Sequence, residues 1–225
     1  MNTINKTARM AGFLYLIYMV THIISDVWRG SFIVIGDAAI TVSNIMAHEG
    51  LFTITVVGDL LAAALFFLTA WALYVLLKPV NKDLALLFLL LNLGGVAIQC
   101  SSDLFLFAIQ LLMNGPDYLN VFQVDQLQAL AMFFLTLHHN GYWIAQIFFG
   151  AWLFPLGYLV FKSGFLPKIL GIVLMIHCAG WLMTFLQLFL FPGFEVIHYL
   201  TYPLGFIAEL GLTLWLLIKG VKEQK

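Results

Sequence analysis

Six long apolar runs separated by short polar stretches set the rhythm of the chain, at roughly 8 to 28, 50 to 77, 84 to 112, 128 to 161, 167 to 191 and 197 to 218. A helix of about 20 apolar residues crosses the roughly 30 Å hydrocarbon core of a bilayer. The runs therefore predict an all-α, polytopic membrane bundle of six transmembrane helices forming a single domain over residues 1–225. The fourth run is the longest. Its roughly 35 residues would make about 52 Å of helix, so it is expected either to tilt and project or to be interrupted at Asn140-Gly141, where an amide and a glycine let the backbone depart from helix.

The few polar residues inside these runs recur at helical spacing. In the third run Asn92, Gln99, Asp103 and Gln110 form one stripe. The sixth aligns His198, Tyr202, Glu209 and Thr213 with Gly205, and the first aligns Tyr15, Tyr18, His22, Asp26 and Arg29. Gln128, His139, Tyr142, Gln146, Gly150 and Gly157 share a face of the fourth. Thr55 and Asp59 share one of the second, and His177, Gly180 and Thr184 one of the fifth. Lipid offers no hydrogen-bond partner, and a charge at mid-bilayer costs about 2.5 to 3.5 kcal/mol even on a lenient scale. Six polar seams are therefore expected to turn inward.

Composition agrees, with 63% hydrophobic and 9% charged residues, against about 25% charged in soluble domains. No nucleic-acid-binding or soluble catalytic domain fits in what remains; the expected partners are the lipid bilayer and an unidentified small molecule. If the N-terminus is cytoplasmic, nine of the ten basic residues lie in inner segments and only Arg29 lies outside, which predicts both termini inside. The start MNTINKTARMAGFLYLIYMVTHII has the charged flank and apolar core of a signal peptide without a small-x-small cleavage site before Asp26, and reads as an uncleaved first span. Cys100 and Cys178 both fall in apolar runs and predict no disulfide.

Intramembrane carboxylates are functional candidates by default, which singles out Asp59, Asp103 and Glu209. His138 and His139 are adjacent and point about 100° apart. His139 is the expected inward residue because it shares a stripe with Tyr142 and Gln146. A ligand or proton site would then comprise Asp59, Asp103, His139 and Glu209, with Tyr142, Gln146, Gln99 and Tyr202 as neighbours. This pattern favours binding or transport of a small molecule or proton, since carboxylates and imidazoles change charge as a ligand arrives. Six spans in one copy are few for a carrier, so a homodimer is expected to accompany that reading. A second reading is a metal-dependent intramembrane hydrolase or lipid-modifying enzyme. It would place zinc on His139, His198, Asp103 and His22 and have Glu209 or Asp59 activate water. No spacing motif requires a cofactor: HExxH, GxSxG, Walker and CxxC patterns are absent. A third reading is a sensor or assembly protein whose seams only fix packing. Arg29 is expected to pair structurally with Asp26, and His177, with no acid on its own face, to serve packing.

Two stretches carry a family likeness. Thr7-Ala8-Arg9-Met10-Ala11-Gly12-Phe13-Leu14-Tyr15-Leu16 is one. The other is Phe148-Phe149-Gly150 followed by Leu156-Gly157-Tyr158-Leu159-Val160-Phe161-Lys162-Ser163-Gly164-Phe165-Leu166-Pro167-Lys168-Ile169-Leu170-Gly171. Both resemble the bacterial domain-of-unknown-function 4386 family of integral membrane proteins. The resemblance implies a multi-pass protein of the bacterial cytoplasmic (inner) membrane and no particular activity. It also implies an acidic residue in the second span, matched by Asp59, and an Arg and a Glu in the third, where Leu91-Asn92-Leu93-Gly94-Gly95-Val96 has neither.

Overall fold

The computed structural model describes residues 3–115, 117–191, 193 and 196–221, with the side chains of 196–198 and 200 outside the description. No strand occurs among the described residues. The helices are α1 (Thr3–Phe32), α2 (Ala38–Ala47), α3 (Glu49–Leu77), α4 (Lys82–Met113), α5 (Val124–Ala151), α6 (Leu153–Lys162), α7 (Lys168–Leu190), α8 (Val196–Gly205) and α9 (Gly211–Leu214). A 3₁₀ turn occupies Asp117–Val121, and π-helical turns occupy Phe206–Leu210 and Trp215–Lys219. Six segments are long and apolar enough to cross a membrane, with α5 and α6 together making the fourth and Thr201–Lys219 the sixth.

Burial along α3 and α4 follows the three-and-four spacing of a helix face. Phe52, Thr55, Val56, Asp59, Ala62, Ala63 and Phe66 are buried in α3, and Asn92, Val96, Gln99, Ser102, Asp103, Leu106 and Ile109 in α4. The fourth span is broken, and not at Asn140-Gly141, which lie within continuous α5. The break falls at Trp152, three residues before Pro155. Proline has no N–H to offer the carbonyl four residues back and its ring crowds that carbonyl, so the helix is interrupted and resumes as α6.

The chain forms two compact units. One is made of the described parts of Met1–Ile17, Ala64–Val96 and Trp143–Lys225, and the other of Tyr18–Ala63 and Ala97–Tyr142. In the first unit α6 and α7 form a tight hairpin. Ser163 Oγ donates to the Val160 carbonyl (2.8 Å) and accepts from Leu166 N–H (3.1 Å), and Gly164 takes φ 73° at the turn. Beyond the turn Gly157 and Gly171 let the two backbones touch: a Cβ on Gly157 would lie 2.7 Å from the Gly171 carbonyl oxygen. In the second unit Asp37 caps α2 by accepting from Ile40 N–H (2.9 Å). Val42 and Ile45 of α2 pack with Phe32, Phe52, Val56, Leu106, Ile109 and Leu135 in an apolar core.

Gly171→Ala is expected to destabilise the protein by about 1–3 kcal/mol through overpacking. Gly30→Ala, in a helix with nothing within 4 Å of the added carbon, is expected to be neutral or stabilising by up to about 1 kcal/mol. Thermal unfolding in micelles reads both, and equal effects would contradict the close backbone contact.

Candidate functional site

In the second unit a buried charged group is assembled from four helices. Two close crossings position it. A Cβ on Gly58 would run into Ser25 Oγ, so α1 and α3 touch beside Asp59, between His22 and Arg29 of α1. A Cβ on Gly141 would likewise meet the Ser102 side chain, so α4 and α5 touch beside Asp103 and His138. Small residues at helix contacts are the usual means by which membrane helices approach; here they set the distance between the charged side chains that flank them.

Arg29 is 6% exposed and Asp59 1%. The guanidinium donates through Nη1 to Asp59 Oδ2 and through Nη2 to Asp26 Oδ1 at 3.0 Å. His22 places Nδ1 3.5 Å from Asp59 Oδ1 and Nε2 3.3 Å from the Tyr142 hydroxyl, and its ring stacks between Tyr18 and Tyr142. The carboxylate answering Arg29 only accepts. That orients a ring hydrogen at His22 Nδ1 toward Asp59 Oδ1, although neither atom makes a hydrogen bond with a described residue at this separation, and leaves Nε2 to accept from Tyr142.

Asp103 is 1% exposed, and neither of its oxygens accepts a hydrogen bond from a described residue. His138 Nδ1 approaches Oδ1 to 3.5 Å and the Ser102 carbonyl to 3.3 Å. Facing two acceptors, Nδ1 carries a hydrogen, but it does not satisfy the carboxyl group. Arg29, Asp59 and His22 lie within electrostatic reach of Asp103. One helical turn along each helix, the apolar residues Phe32, Val56, Leu106 and Leu135 form a layer over Arg29, Asp59, Asp103 and His138. A small cavity of ≈ 50 Å³ lies elsewhere in this unit, between Ile45, Met46, Glu49, Phe52, Gln110, Met113 and Asn114. It has room for a few waters, and no predicted site residue lines it.

In the first unit the Tyr15 hydroxyl donates to Glu209 Oε2, and His177 Nδ1 lies 3.4 Å from Glu209 Oε1. Thus Asp59 and Asp103 belong to one group and Glu209 to the other. Gln99 and Gln146 are buried, and Tyr142 half-buried.

Several sequence expectations are corrected. His138, not His139, is the buried imidazole, since His139 is exposed. The buried series of α5 runs Ala131, Leu135, His138, and the polar stripe used to choose His139 ignored those upstream apolar residues. Tyr202 is 49% exposed and sets its ring edge-on to Trp181. The intervening π turn takes more residues per turn, so a seven-residue step no longer returns to the face of Glu209. His177 does have an acidic companion, supplied by another helix. Arg29 is no peripheral residue: α1 continues to Phe32, beyond the span end set at 28, and carries Arg29 into the buried face. Its position seven residues after His22 was the available signal. The proposed zinc ligands do not converge, because His139 is exposed, His22 faces Asp59 and Tyr142, and Asp103 faces His138. The side chain of His198 lies outside the described residues. Among the described residues no three His, Cys, Asp or Glu side chains are grouped to hold a metal.

Arg29→Met is expected to cost about 3–5 kcal/mol, because it strands Asp59 as a buried uncompensated charge, whereas Arg29→Met with Asp59→Leu is expected to lose less than the single change. Denaturant unfolding in micelles measures this; a double variant as unstable as the sum of the two singles would contradict the pairing.

Comparison with known proteins gives the same architecture a family. The family model described as domain of unknown function DUF4386 matches residues 10–220. An uncharacterized protein of Archaeoglobus fulgidus is 32% identical over 168 residues, covering 75% of this chain and 85% of that protein, so such sequences are not confined to bacteria. No solved structure matches the chain.

Proposed function

The chain belongs to the DUF4386 family, and from that premise we propose that it is a multi-pass membrane protein that binds a small solute rich in hydrogen-bond donors or positive charge, a proton being the smallest, and passes it across the bilayer. The observation that carries this reading is Asp103. It is a carboxyl group 1% exposed, held beside His138, with two oxygens that no described residue satisfies. A buried polar atom without a partner costs about 1–3 kcal/mol, more when charged. A carboxyl group kept under that cost is suited to a ligand that brings hydrogen-bond donors.

The neighbouring Arg29 and Asp59 pair supports the same conclusion. It neutralises most of its own charge, so the attraction left for a solute comes from Asp103. His22, between Asp59 and Tyr142, supplies an imidazole that donates through one ring nitrogen and accepts through the other. The distribution of lysines supports both termini on the cytoplasmic side, in the cytoplasmic membrane of a prokaryotic cell, with this charged group nearer the outer face. A homodimer fits the small number of spans per copy.

Proteoliposomes containing a pH-sensitive dye test the proposal. An imposed proton or methylammonium gradient is expected to collapse faster than in protein-free vesicles, and Asp103→Asn to return the rate to the protein-free value. Indistinguishable rates for wild type, Asp103→Asn and empty vesicles would contradict it.

A further inference from the structure

The group formed by Tyr15, His177 and Glu209 shares no residue with the site proposed above and is argued independently of it. α1 supplies Tyr15, 0% exposed, and α7 supplies His177, 1% exposed. Glu209 comes from the π turn Phe206–Leu210. Two glycines make the approach possible. A Cβ on Gly12 would lie 2.9 Å from the Thr213 carbonyl oxygen and 3.0 Å from Leu216 Cβ, so α1 rests directly on the sixth span. A Cβ on Gly205 would run into the His177 imidazole. The wide turn itself follows Pro203, which lies inside α8 and leaves the carbonyl four residues back without its donor. π turns inside helices recur at functional sites.

The neutral imidazole of His177 carries one ring hydrogen, on Nδ1 or on Nε2, and its placement decides what the group can hold. Tyr15 donates to Glu209 Oε2. Oε1 faces His177 Nδ1 at 3.4 Å, and Nδ1 makes no hydrogen bond with any described residue. With the ring hydrogen on Nδ1 the carboxylate accepts it; with the ring hydrogen on Nε2 two lone pairs face each other, and a proton on Oε1 then satisfies both atoms. Phe66 and Trp152 pack on Tyr15, and Trp181 packs on His177. Cys178 is the neighbouring titratable group on α7, and Tyr202 of α8 sets its ring edge-on to Trp181.

We propose that Tyr15, His177 and Glu209 form a second, separate proton-binding centre seated in the π turn of the sixth span. Its occupant is a single proton delivered from hydronium, which leaves as water. The proton rests on Oε1 and is donated to Nδ1, with the ring's own hydrogen on Nε2; no other bond forms or breaks. Tyr15 remains the fixed donor to Oε2 with or without it. Loss of the proton leaves a carboxylate that accepts from Nδ1 once the ring hydrogen moves there from Nε2, and the Tyr15 link to α1 is kept.

Infrared difference spectra of the full-length protein in lipid, taken between acid and alkaline buffer, test this. The expected result is a titrating carboxylic-acid carbonyl band that Glu209→Gln removes and Asp103→Asn leaves in place. Tyr15→Phe, which deletes only a hydroxyl, and His177→Gln are each expected to keep the band and move its midpoint by about one pH unit. The proposal is overturned if Glu209→Gln leaves the spectra unchanged, if Asp103→Asn also abolishes the band, or if neither Tyr15→Phe nor His177→Gln moves the midpoint.

Discussion

Hydrocarbon cannot solvate a guanidinium group, and that constraint governs the second unit. Arg29 projects from α1 with its side chain 7% exposed, so its charge must be met by protein. Asp59 of α3 meets it, with Asp26 holding the other arm of the fork. The pair needs α1 and α3 close together, and Gly58 against Ser25 allows it. Once that crossing is fixed, His22 faces Asp59 with one nitrogen, and the Tyr142 hydroxyl of α5 lies at the other. The apolar layer one turn away, from Phe32 to Leu135, keeps the local dielectric low, which strengthens every pairing and makes an unpaired group more costly.

The two acidic groups differ in what they lack. At Asp103 there are acceptors without donors, since His138 already has the Ser102 carbonyl to serve. Such a place suits a solute that brings several donors or a positive charge. At Glu209 one oxygen is already served by Tyr15, and the other faces His177 Nδ1 at 3.4 Å. A carboxyl group in a membrane helix is thus given its role by the donors around it, which come from other helices.

That dependence explains what could be read from the chain and what could not. Spans, faces and the burial of Asp59, Asp103, Gln99 and Asn92 follow from periodicity, because every residue on a helix is placed by its neighbours in sequence. The break at Trp152 was also within reach, given Pro155, but the flexible Asn140-Gly141 drew attention first. The choice between His138 and His139 depended on counting Ala131 and Leu135 as well as the polar residues. Arg29 was discounted because charge normally ends a span, and only its partner on α3 shows why the helix continues. The π turn in the sixth span has no sequence signal beyond Pro203, so the exposure of Tyr202 and the meeting of Glu209 with His177 required coordinates. Partners from different helices are set by packing, which one sequence does not encode position by position.

An experimental structure in lipid, at a resolution that shows waters and ions, tests the central claim most directly. The account predicts density that is not protein within hydrogen-bonding distance of an Asp103 oxygen, with Arg29 still bound to Asp59. A structure in which protein donors fully satisfy Asp103, or in which its side chain turns toward lipid, would contradict it.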